Sequence, residues 1–179
     1  DSAVTSLASK DSAPVIAAFA AGHTSHLEDL RGLITARNGE PYSETNAKLM
    51  RAYGQTALDL VASGKLPEDT LALTLAVEAL VASTYQYFVS LTAEPALRAG
   101  MVQLGGQSSR RAAIAAQLIN GGTVGFAPAL DKDGVALVAT LPNTFGSLST
   151  VQVKLGPPNE VGSRTTVLMD TPSLNSLIY

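Results

Sequence analysis

The sequence of 179 residues contains no cysteine, which removes disulfides, thiolate metal sites and thiol catalysis together. Charge is scarce as well. Charged residues make up 15% of the chain, against roughly 25% in an ordinary soluble protein. Twelve Lys and Arg stand against fifteen Asp and Glu for a net charge of −3, so the basic footprint of a nucleic-acid binder is missing. No apolar run reaches the 18 or so residues of a membrane span; the longest, residues 15–21, stops at Gly22-His23. There is no Asn-x-Ser/Thr sequon, no Walker A loop, no Gly-x-Gly-x-x-Gly opening a helix and no Gly-x-Ser-x-Gly elbow. With two histidines in all, a Ser-His-Asp triad lacks an obvious general base, so we expect no enzyme of that kind. What the chain does have is apolar material, 46% of its residues with a mean hydropathy of +0.20, which excludes intrinsic disorder. It begins with Asp1. We expect an upstream segment to have been removed, and therefore a secreted or cell-surface protein.

Composition divides the chain into a helical body, residues 1–120, and a β-rich extension, residues 121–179, on either side of Gly121-Gly122. Four helices are predicted. The first runs from Ser12, whose hydroxyl is placed to cap it with Pro14 in the first turn, to Arg37, and stops at Asn38-Gly39. The others cover residues 46–62, 68–91 and 95–119. In the extension, residues 135–140, 150–155 and 164–170 read as strands, the last two forming a hairpin about the turn at 156–162. A hairpin alone is marginal in water. It must pack on the helices, on further strands or on another chain. The apolar terminal segment, residues 172–179, is expected to dock.

The informative residues are polar ones on apolar stripes. At about 100° per residue, Ile16, Phe19, Ala20, Leu27, Leu30 and Ile34 share one face of the first helix, and His23 and His26 fall inside it. Two histidines at i and i+3 can reach one metal ion or can be core histidines bonded to neighbours. In the third helix Glu78 is the sole charge between Asp69 and Glu94, on the face of Leu71, Leu75, Val81, Tyr85 and Val89. A helix apolar nearly all round is central. The inward carboxylate therefore needs a cation, a metal or a proton, and Tyr85 on the same face can donate to it. The fourth helix brings Ser108 and Arg111 onto its stripe and leaves Arg110 outside. A guanidinium suits a buried carboxylate, so Arg111 is either a bidentate partner of Glu78 or a snorkelling edge residue. Gly105-Gly106 inside this helix points to close helix packing.

The segment Phe19-Ala-Ala-Gly-His-Thr-Ser-His-Leu-Glu-Asp-Leu-Arg-Gly-Leu-Ile34 resembles the second bundle helix of secreted ferritin-like domain proteins of the bacterial, plant desiccation-related and fungal stress-response types. Residues 72–88 resemble the third helix with its carboxylate at Glu78, and Gln107-Ser-Ser-Arg-Arg-Ala-Ala113 resembles the fourth. The resemblance implies an antiparallel ferritin-like bundle over roughly residues 13–120 followed by the β-rich extension, an α+β chain that is mainly α. It also implies a metal site between helices, and here the sequence departs. His26 and Glu78 hold ligand positions, but His23 stands for a Glu, Ser108 and Arg111 stand for a Glu and a His, and the family's first helix has no counterpart before Asp11. One Glu cannot bridge two irons. A single iron, manganese or zinc ion on His23, His26 and Glu78 is the metal reading. The reading preferred on the lost ligands needs no cofactor: a non-catalytic structural protein in which Glu78, Tyr85, Ser108 and Arg111 form a buried polar network. Its extension then carries contacts to further copies of the chain or to another protein.

Overall fold

A computed structural model describes residues 12–64, 67–120, 133–142 and 149–171. The described chain is mainly helical, with a small three-stranded antiparallel sheet. The sequence expectations for residues 1–11, 121–132 and 172–179, including the glycine boundary and the docked terminus, lie outside these residues.

Helix α1 spans Ala13–Thr35. Ser12 sits at its N-cap in a helical conformation and makes no side-chain capping bond, so the expected cap is replaced by the preset φ of Pro14. The helix ends where Asn38 adopts a left-handed φ of 58° and Gly39 N–H returns to Ile34 O. Ala47–Leu49, a π-helical turn Met50–Gly54 and Gln55–Gly64 follow as one continuous helix, α2. It is opened by Asn46, whose Oδ1 accepts Leu49 N–H at 3.0 Å. Helix α3 is Pro67–Val89 and α4 is Pro95–Ile119. These two pack closely. A Cβ at Gly105 would come within 3.1 Å of Tyr85 Cβ, whereas one at Gly106 would meet nothing, so only the first glycine admits the neighbouring helix.

Strands β1 (Val138–Pro142), β2 (Ser149–Leu155) and β3 (Thr165–Asp170) form a meander in the order β1-β2-β3. β1 begins three residues later than the apolar run starting at Val135; ahead of it Ala136 forms an isolated bridge and Leu137 O accepts Lys154 N–H. The register pairs Val153 with both Val138 and Val167, and Val151 with Met169. Alternation then sends Val151, Val153, Leu155, Val167 and Met169 to one face, where all are buried. That face lies on α2 and α3. Tyr53, Ala57 and Val61 of α2 and Ala72, Leu73, Ala76 and Leu80 of α3 complete a single core with it.

The hairpin is clamped to the start of α3. Asp69 is fully buried; its Oδ2 accepts Gly156 N–H at 2.9 Å and its Oδ1 pairs with the Arg164 guanidinium. Arg164 Nε donates in turn to Gly156 O, and Glu68 stands 3.8 Å away. Gly156 needs its left-handed φ of 78° here, with Leu60 and Gly64 of α2 against its Cα. Helix α1 has no side chain in the shared core. Its buried side chains are Ile16, Phe19 and His26, while Leu27 and Ile34 remain exposed.

Candidate functional site

Glu78 lies midway along α3 with 2% of its surface exposed. Position i+4 from Thr74 and i+7 from Leu71 turns it towards α1 and α4 rather than the sheet. His23 approaches from α1, its Nε2 2.7 Å from Glu78 Oε1. A carboxylate can only accept, so His23 carries its proton on Nε2 and donates. Beside this pair is a cavity of about 30 Å³ walled by Ile16, Phe19, Thr74 and Val77.

His26, one turn further along α1, is buried and faces a different set of groups. Its Nε2 is 2.6 Å from Gln107 Oε1 and 3.3 Å from Arg111 Nη2. One nitrogen cannot donate to the amide and accept from the guanidinium. The shorter contact decides: His26 donates to Gln107, and Nδ1 keeps a lone pair that is buried without a hydrogen-bond partner. The two imidazoles meet edge to face with centroids 5.8 Å apart.

Of the two readings of Arg111, partner of Glu78 or snorkelling edge residue, the structure has it buried beside the carboxylate, while Arg110 is exposed. The bond is not bidentate. Nη1 stands 3.8 Å from Glu78 Oε2, an ion pair without a hydrogen bond, and both atoms are buried and unpartnered. The reason lies on α1. The guanidinium is seated over Gly22, where a Cβ would overlap Nη2 and come within 3.2 Å of Cζ. A glycine inside a helix costs about 1 kcal/mol relative to alanine; here it makes room for the arginine head.

Of the other network residues, Ser108 is fully buried with an unpartnered Oγ. Tyr85 comes near without joining: its Cβ packs on Gly105, and no hydrogen bond links it to Glu78 among the described residues. Burial pushes its phenol pKa up, opposed by the nearby Arg111 charge. Two members of the centre escaped the sequence reading. Gln107 is signalled by its i−4 spacing from Arg111, and Gly22 by its place between Phe19 and His26 on the stripe. The Asp69–Arg164 clamp was unreadable, because an acidic residue in a first helical turn is ordinarily explained by the helix dipole alone.

The donor set can be weighed for a metal. Among the described residues no three His, Asp or Glu side chains converge on one point. Glu78 Oε2, His26 Nδ1 and Ser108 Oγ are buried without hydrogen-bond partners, and the Arg111 guanidinium stands at 3.8 Å from the first. Chemically the centre sets an anion and a cation from adjacent helices beside the two histidines of α1, with His23 donating to the carboxylate and His26 to Gln107. No family model, no curated protein and no solved structure matches the chain.

Proposed function

We propose that this chain is a non-catalytic, ferritin-like structural protein whose polar centre holds helices together and whose β extension binds further copies of the chain or a protein partner. The observation that carries the reading is the Arg111 guanidinium between His26 and Glu78, a fixed positive charge at the point where a metal would need to stand. A guanidinium and a divalent cation within a few ångströms repel strongly in a poorly solvated interior. The assembly part is supported by β3, which pairs with β2 on one side only among the described residues. Its outer face carries Leu168 at 54% exposure, and Thr165 to Met169 contain no charge or proline to discourage strand addition.

A second reading has one observation in its favour. Glu78 Oε2 and His26 Nδ1 are buried acceptors without partners, and with His23 they offer ligands to a single iron, manganese or zinc ion. Elemental analysis and light scattering on the same purified protein separate the two. The structural reading expects no stoichiometric metal and a mass of two or more times 18.4 kDa, or a complex with a protein partner. One equivalent of metal, lost in His26→Ala, overturns it in favour of the second. A strict monomer that captures no partner removes the assembly function.

A further inference from the structure

We infer that α1 is a hinged lid over the Glu78–Arg111 centre, opening as a unit while α2, α3, α4 and the sheet stay folded. The difference in packing is the first support. The shared core draws on α2, α3 and the sheet and includes no residue of α1. α3 and α4 touch through a glycine, whereas α1 is held off them by long polar side chains and leaves a groove of about 530 Å³ along α4, floored by Gly32, Leu33 and Gly100. Over its length α1 buries only Ile16, Phe19 and His26. Segments with few buried apolar contacts open at lower free energy than the core.

The second support is the chemistry under the lid. Closed, α1 leaves Glu78 Oε2, Arg111 Nη1 and His26 Nδ1 buried without hydrogen bonds. Opening lets water reach all three, so the desolvation they suffer when closed is recovered and the opening becomes easier. Third, the two ends of α1 differ. At its C-terminal end the chain turns through the left-handed Asn38, and Arg37 pairs with Glu94 at the start of α4, which keeps the hinge attached. The opposite end carries Ile16 and Phe19, the two apolar side chains that α1 buries among the described residues. Lid motion therefore controls access of solvent and small polar solutes to the carboxylate and guanidinium.

Native-state hydrogen exchange on the whole chain tests this. Amides along residues 13–35 are expected to share one opening free energy and to exchange at least about 100-fold faster than those of α3, relative to their intrinsic rates. Gly22→Ala, which displaces the guanidinium, should speed exchange of α1 about 10-fold further and leave α3 and α4 unchanged. Gly32→Ala, where a Cβ meets nothing within 4 Å, should not speed it. The inference is overturned if α1 and α3 open together, if α1 shows a gradient of fraying from Ser12 instead of one value, or if Gly22→Ala accelerates every helix alike. Should that variant not fold, the wild-type profile decides alone. Neither the metal content nor the oligomeric state enters these outcomes.

Discussion

Removing the Asp69 carboxylate should unfasten the hairpin from the helices at a measurable cost. The side chain is fully buried and serves two partners, Gly156 N–H and the Arg164 guanidinium. In Asp69→Ala the amide loses its acceptor, which costs about 1–3 kcal/mol. Stranding one member of a buried ion pair costs about 3–5 kcal/mol. The two overlap, and relief exists: the Arg164 side chain retains 12% exposure and Glu68 remains 3.8 Å away. The lower end applies, and we expect a loss of about 3 kcal/mol, a large part of the 5–15 kcal/mol typical of a domain. Asp69→Asn keeps an acceptor for Gly156 and loses only the charge, so about 2 kcal/mol is expected. Arg164→Ala in the Asp69→Ala background leaves no cation to strand, and the double variant should recover about 1–2 kcal/mol. Urea unfolding followed by circular dichroism reads this directly. With a slope of about 2 kcal/mol per molar, the midpoint of Asp69→Ala should fall by about 1.5 M. A shift below about 0.3 M, or strictly additive losses in the double variant, would refute the clamp.

Three further expectations use the same unfolding assay. Glu78→Gln leaves Arg111 without its counter-ion and should cost about 2–4 kcal/mol, and a neutral effect would mean the guanidinium has another anion. Gly105→Ala places a methyl 3.1 Å from Tyr85 Cβ and should cost about 1–3 kcal/mol. Gly106→Ala, in open space, should gain about 0.5–1 kcal/mol, and equal effects at the two would deny the close approach of α3 and α4. Burial raises the phenol pKa of both Tyr53 and Tyr85 above the usual 10.0. The folded state then holds protons that the unfolded chain releases, so the tyrosine contribution to stability is constant below pH 10 and falls above it, by about 1.4 kcal/mol per pH unit for each tyrosine until its folded pKa is reached. A midpoint that does not move between pH 9 and 11 would contradict this.

Much of this architecture was open to reading because the signals were local. The 3.6 and 2 periodicities, with Asn38-Gly39, Asn46 and Pro95 as punctuation, located four helices and the hairpin. A lone Glu78 in an apolar helix was expected to point inward and to need a cation, a metal or a proton, and in the structure it lies buried with the Arg111 guanidinium of the next helix 3.8 Å away. What the stripes could not convey was distance. Gly22 decides how the guanidinium lies, and no periodicity distinguishes a glycine that seats an arginine from one, such as Gly32, that seats nothing. The π turn was equally silent: residues 50–54 fit an α-helical pattern, yet they form one wider turn, and from it the Tyr53 hydroxyl donates to Asp170 O at 3.2 Å. The partner of Asp69 lies 95 positions away, beyond the reach of any local pattern.

The shared core also dictates when the molecule can fold. Its helical half lies between Tyr53 and Leu80 and its sheet half between Val151 and Met169, with Asp69 and Gly156 fastened across 87 positions. Contacts between such distant segments close slowly. During synthesis the apolar side of α3 waits uncovered until β3 has left the ribosome, a period in which it is open to wrong partners. The scarcity of charge that makes α3 a good core helix makes that interval hazardous, and the last third of the chain is what ends it.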